Sequence, residues 1–213
     1  MSPRPRTVDD STILEAAVTV LGRIGPDRLT LADVGEEAGL SAATLVQRFG
    51  SKRDLMLSVL KFATQGFDGR FENAISTNSS PLEAIFIAAV ERAPQSEPGA
   101  LAHMLAFYLS DLGDPDFRAL AAGNSRKAVA GFKRMLDEAV AEGEIAESYV
   151  DTTQLAETIY SLVMGTLLTW TVTGEGDYRA RVRSELDVLL RPFRRGPRKA
   201  ATKFAVAASP AVA

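Results

Sequence analysis

Apolar residues recur at three- and four-residue intervals along almost the whole chain and never alternate over a sustained run, which is the signature of amphipathic helices rather than strands. The pattern predicts helices at about 10–24, 31–38, 42–48, 52–75, 81–93, 99–112, 115–142, 151–173 and 177–194. The first carries Ile13, Leu14, Ala17, Val18 and Leu21 on one stripe and stops at Gly25-Pro26. The fourth turns Leu55, Val59, Phe62, Phe67 and Phe71 inward. Pro81 and Pro115 stand at helix starts, where a missing amide costs nothing, while Gly143 and Gly174 close helices. From 196 to 213 the chain is basic and then rich in Ala and Pro, with no apolar stripe, and a disordered tail is expected.

Residues 30–62 carry the most specific local signals. Thr30 with Asp33, and Ser51 with Asp54, have capping-box spacing, in which a hydroxyl accepts from an orphan amide and an acid three residues on answers back. Ser41 is a simple N-cap. Ala38-Gly39-Leu40-Ser41 supplies a helix-ending glycine, an apolar plug and the next cap. Two short helices joined in this way form a helix-turn-helix unit, whose second helix can enter the major groove of DNA. In that helix Leu45 and Phe49 lie four apart on one face and must be buried. Ala42, Ala43, Thr44, Val46, Gln47 and Arg48 are left to face outward. Gln pairs bidentately with adenine and Arg with guanine, and an Ala methyl can meet the methyl of thymine.

Residues 11–62 resemble the DNA-binding domain of the tetracycline-repressor family of bacterial transcriptional regulators. The resemblance is carried by Ile13-Leu14-Glu15-Ala16-Ala17, Gly25, Leu29-Thr30, Val34, Glu37-Ala38-Gly39-Leu40-Ser41, Thr44-Leu45, Phe49, Ser51-Lys52 and Leu55. It covers about a quarter of the chain, in register. It implies that Thr30, Thr44 and Lys52 hold phosphates. Three positions depart from the family pattern: Val46 replaces a Tyr, Arg48 a His, and Gly35 an Ala. Val46 cannot donate to a phosphate, so one family contact is missing.

The totals narrow the field. A chain of 213 residues with 46% hydrophobic residues can bury a sizeable core. The absence of cysteine excludes disulfides and thiolate metal sites, and fits a cytoplasmic location. The first residues are basic but lack an apolar signal core. The apolar run Ile159–Val172 contains Ser161, Gly165 and three threonines, and reads as a buried helix rather than a membrane span. The net charge is −3, and in the first 60 residues the cations Arg4, Arg6, Arg23, Arg28, Arg48, Lys52 and Arg53 are balanced by acids. DNA binding must therefore come from charge placement rather than bulk charge. Arg4 and Arg6 precede the first helix and read as solvated tail or as an arm reaching DNA. The basic run from Arg191 to Lys203 has the same two readings.

The second half offers sensing and assembly. The resemblance implies a small molecule bound among helices four to eight. His103, Met104, Phe107, Tyr108, Phe132, Tyr160, Met164 and Trp170 are the candidates to line its site, against the alternative of a plain packed core. Helix nine carries one apolar stripe, and helix eight is apolar nearly all round, so it needs covering on more than one side. The resemblance implies that these two helices pair with their copies in a four-helix bundle. The expected interface is Leu155, Ile159, Leu162, Gly165, Val182, Leu186, Leu189, Leu190 and Phe193. Catalysis finds no support: no GxSxG, Walker loop or HExxH is present, and one His without Cys leaves no nucleophile–base pair and no zinc site. No cofactor or metal is expected.

The expectation is an all-α protein. Residues 1–52 form a three-helix DNA-binding domain, 53–195 an effector-binding and dimerisation domain, and 196–213 the tail. It would act as a ligand-responsive repressor, binding a palindromic operator as a homodimer and a small hydrophobic or aromatic effector, with no membrane involved. The rival is a helical effector- or protein-binding dimer that has lost operator binding.

Overall fold

The computed structural model describes residues 8–90, 98–110, 112–146 and 151–194, without the side chains of 63–68, 70 and 110. Arg4, Arg6, Phe67, the end of the fifth expected helix and the tail fall outside what it describes. The helices run in the expected order: α1 Asp10–Ile24, α2 Leu31–Ala38, α3 Ala42–Phe49, α4 Lys52–Thr77, α5 Pro81–Val90, α6 Pro98–Ser110, α7 Pro115–Ala141, α8 Thr152–Thr173 and α9 Tyr178–Leu190, followed by a 3₁₀ turn at Arg191–Phe193. Among the described residues there is no strand, only one isolated antiparallel bridge between Ile145 and Arg194.

The caps explain why the short helices form where they do. The Thr30 hydroxyl accepts from the Asp33 amide while the Asp33 carboxylate accepts from the Thr30 amide at 2.8 Å, a complete reciprocal box. At α4 the Ser51 hydroxyl accepts from the Asp54 amide at 3.1 Å and donates to the Asp54 carboxylate at 2.6 Å, so the return bond reaches the hydroxyl. Gly39 ends α2 in the left-handed region at φ 68°, a conformation a side chain would disfavour.

Asp9 caps α1, with the Thr12 amide 2.8 Å from its carboxylate. That amide, with the hydroxyls of Ser11 and Thr12, holds the Asp9 carboxyl at about 2, below its ordinary value of 3.8. The folded value is depressed, so the cap's contribution is complete above the ordinary carboxylate range. It is lost as pH falls through the folded value. Asp9→Asn, which removes the titration, should therefore be less stable than the parent near neutral pH. The two should converge between about pH 4 and pH 2 in parallel denaturant titrations. A gap that stays constant across that range would show that Asp9 does not act through its charge.

Two cores follow. One gathers Ile13, Ala17, Val20 and Leu21 of α1, Leu29, Val34 of α2, Leu45 of α3 and Leu55, Met56, Leu57, Val59 and Leu60 of α4, closed by Phe107 of α6 and Phe117 of α7. The expected boundary at 52/53 thus falls ahead of side chains that belong to the first core, and α4 serves both. The other core is built around α7, whose Phe132, Met135 and Leu136 are fully buried and which packs against α4, α5 and α8, while α9 joins it through α5 and α8. Phe71 meets Phe132 edge-to-face at 5.3 Å between centroids. By length and composition α8 could cross a membrane, but its Ile159, Val163, Leu167 and Trp170 are buried in this core. Its other side shows Ser161, Gly165 and Thr169.

Most of the expected dimer face also serves the chain's own core. Leu155, Ile159, Val182, Leu186 and Leu190 are buried within the chain's own core, and Leu162, Leu189 and Phe193 pack against it. A stripe at helical spacing looks the same whether it covers its own chain or a partner. Of the nine expected residues only Gly165 is exposed. The apolar residues that α8 and α9 leave open are Leu168, Val172 and Val188.

Candidate nucleic-acid interface

The exposed surface of α3 follows from its burial. Leu45 is fully buried and Phe49 half-buried, which fixes the inner side. At about 100° per residue, Ala43 and Gln47 fall opposite that side, with Val46 beside them. All three are exposed, Val46 by 48%. Ala42 and Thr44 are half-buried. The Thr44 hydroxyl lies 2.9 Å from that of Ser41, whose oxygen also caps the helix through the Thr44 amide.

Arg48 is exposed, but its side chain is engaged. It sits three residues from Leu45, about 60° round the helix, on the flank nearest α1. Its guanidinium donates to the Val8 carbonyl and pairs with the Asp10 carboxylate. Helical spacing alone marks only the Leu45–Phe49 face of α3 as occupied. The start of α1 takes the flank.

Lys52 is likewise engaged. Its ammonium donates to the carbonyls of Pro26 at 2.8 Å and Asp27 at 3.3 Å, tying the start of α4 to the α1–α2 loop. The Thr30 hydroxyl donates to Asp33 at 2.6 Å. Hydrogen bonds from Thr30 lead the causes that lower the Asp33 carboxyl's pKa. Thr30 therefore acts first as a cap.

Gly35, the departure inside α2, has a physical reason. Its carbonyl accepts from the Leu40 amide at 2.7 Å. A Cβ there would lie 2.7 Å from the Leu40 carbonyl oxygen and 3.3 Å from the Ala42 nitrogen. The turn between the two helices closes onto bare backbone.

Residues that the sequence did not single out join this unit to the rest of the chain. Arg53 grips Asp114 through Nε at 2.8 Å and Nη2 at 3.0 Å, and reaches Asp116 at 2.6 Å. Hydrogen bonding to Arg53 is the first cause that lowers the Asp114 carboxyl's pKa. With Pro26, Asp27, Lys52, Met56 and Phe117, Arg53 and Asp114 line a cleft of about 400 Å³. No local signal marks a pair 61 residues apart. Asp114 itself was legible only as a residue before a proline.

The expected effector residues do not converge. The Nδ1 of His103 lies 2.8 Å from the Gly22 carbonyl, so this ring pins α6 to α1. Met104 and Phe107 pack in the first core, where Phe107 meets Phe117 edge-to-face. Phe132 is buried in the second core. Trp170 donates to the Gly176 carbonyl at 3.0 Å and closes the α8–α9 turn. Tyr108 and Tyr160 do come together, each within hydrogen-bond distance of the Ser125 hydroxyl, at 3.2 Å and 2.8 Å. Met164 is half-buried. Among the described residues no cluster could hold a metal ion.

Residues 13–59 match the family described as bacterial regulatory proteins, tetR family. The chain is 26% identical over 161 residues to the HTH-type transcriptional regulator BetI of Agrobacterium fabrum, covering 72% of this chain and 78% of that one. It is 28% identical over 135 residues to the HTH-type transcriptional repressor KstR2 of Mycolicibacterium smegmatis, covering 62% and 64%. Its fold is similar to that of the transcriptional regulator FadR from Bacillus subtilis, solved in complex with stearoyl-CoA. The TM-score is 0.65 at 20% identity, over 85% of this chain and 97% of that one.

Proposed function

We propose that this chain, whose residues 13–59 match the tetR family of bacterial regulatory proteins, is a ligand-responsive repressor that grips a palindromic operator as a homodimer. The observation that carries this reading is the outer face of α3. Ala43, Val46 and Gln47 are free of the core while Leu45 and Phe49 lock the helix in place. A two-fold dimer presents two such helices, and its operator repeats with the same symmetry. The self-contact falls on the open side of α8 and α9, where Leu168, Val172 and Val188 are exposed around Gly165.

The effector has an apolar body and a hydrogen-bonding group. The Tyr108–Ser125–Tyr160 hydroxyls supply its polar partners, on helices that reach α1 through His103 and α4 through Asp114. A ligand that favours another arrangement of α6 and α7 would shift the spacing of the two recognition helices. The protein would act in the cytoplasm, where the operator is.

Binding to the DNA upstream of its own coding sequence, followed by fluorescence anisotropy across a salt titration, tests the reading. Expected are saturable binding by a dimer and a linear fall of log affinity with log salt. Lys52→Ala should weaken binding to operator and scrambled DNA alike, by removing a cation whose family position holds phosphate. Light scattering gives the dimer, and a rise in Tm with hydrophobic compounds reports the effector. Folded dimer without DNA affinity at low salt would favour the reading of a dimer that has lost its operator.

A further inference from the structure

We infer that α3 reads an operator half-site dominated by A·T pairs, through Gln47 and the methyl groups of Ala43 and Val46, and that Arg48 positions the start of α1 instead of reading a base. The inference rests on the operator-binding reading above and adds the sequence class of the DNA.

The reading face is chemically narrow. Opposite the buried Leu45–Phe49 side stand Ala43 and Gln47, with Val46 exposed on the flank away from Arg48. Gln47 is the one long hydrogen-bonding side chain among these three, and its amide matches the N6 and N7 of adenine. Ala43 and Val46 offer only methyl groups, and the base feature that methyls complement in the major groove is the C5-methyl of thymine. The commonest bidentate guanine reader is a cation, and Arg48 is the only cation in α3.

Three observations hold Arg48 away from that task. It lies on the flank of α3 nearest α1 rather than on the outer face. Its guanidinium already bonds the Val8 carbonyl and the Asp10 carboxylate, leaving its side chain only 26% exposed. Charge decides the rest. An exposed ion pair is weak by itself, about 0–1 kcal/mol. However, swinging Arg48 into the groove would leave Asp10, 65% exposed, with Asp9 beside it at the same helix start, facing a polyanion without a cation. Keeping Arg48 in place neutralises Asp10 and fixes where the chain ahead of α1 departs.

Selection from a random duplex pool with the full chain tests this, comparing the parent with Gln47→Ala, Arg48→Ala and Asp10→Ala, each first shown by circular dichroism to melt as a folded protein. The parent should enrich paired half-sites whose central positions are A·T. Gln47→Ala should lose one adenine preference per half-site and about tenfold or more in affinity, the scale of one bidentate contact. Arg48→Ala should recover the same sequence with affinity within about threefold, the scale of an exposed pair. Asp10→Ala releases Arg48 and should gain a guanine preference that the parent lacks. A guanine fixed in the parent's sites and abandoned by Arg48→Ala overturns the inference while leaving operator binding intact. Enrichment of no sequence by the parent overturns operator binding itself.

Discussion

Leu186→Glu should abolish the folded chain rather than separate two folded chains. Leu186 is fully buried on α9 within the core around α7. A glutamate there loses the apolar contacts of a core leucine, roughly 2–5 kcal/mol, and brings an unpaired carboxylate out of water, several kcal/mol more. Together these approach the whole stability of a typical domain, about 5–15 kcal/mol. Val188, two residues on, is 61% exposed and points the other way. Val188→Glu should keep the parent's melting temperature within a few degrees in the monomer and, on the proposed assembly, shift light scattering from dimer to monomer. The pair of variants separates the two meanings of an apolar stripe. A Leu186→Glu protein that melts like the parent would show that α9 does not pack as described. A Val188→Glu protein that remains a tight dimer would place the self-contact elsewhere.

Gly35→Ala should weaken both the fold of the first unit and its grip on DNA, although it restores the residue the family pattern favours. In an exposed helix alanine gains about 1 kcal/mol over glycine. Here the added carbon meets the Leu40 carbonyl oxygen at 2.7 Å, with the Ala42 nitrogen behind it. Both neighbours are backbone and cannot rotate away, so the turn must open. Overpacking of this kind costs about 1–3 kcal/mol, which outweighs the propensity gain. The strain is relieved only by moving α3 relative to α2, so operator affinity should fall by more than the stability change alone requires. Denaturant midpoints and anisotropy on the same preparation measure the two losses. An alanine variant more stable than the parent would mean the α2–α3 turn is wider than it stands here.

The helices were legible because their signals are local. Thr30 with Asp33 and Ser41 with Thr44 act within four residues, and the apolar spacing of α1 and α4 needs no knowledge of a partner. What lay beyond reach was which object each apolar face meets. The stripe on α9 looked open because nothing in its own residues names α5 and α8 as its cover. Of the candidate interface, Gln47 and the Leu45–Phe49 anchor were legible from helical geometry. The detention of Arg48 was not, because it depends on Asp10 lying beside a residue 38 positions later. The candidate effector residues share only their aromatic or polarisable character. Type alone cannot assign Phe107 to one core and Phe132 to the other, and the hydroxyl cluster needed Ser125, which no pattern marks.

The sharing of one core between the DNA-facing helices and the rest of the chain bears on how the molecule comes apart. Phe107 and Phe117 close the core formed by α1 to α4, and His103 is bonded to α1. A fragment cut after α4 begins would expose the apolar floor that these two rings cover, and the first sixty residues should not fold alone. Heating should yield a single cooperative transition for both halves, and amide hydrogens of α1 should exchange with the same opening free energy as those of α6. A regulator built this way cannot loosen its reading head by local melting; any signal from the effector side must arrive as displacement of an intact body.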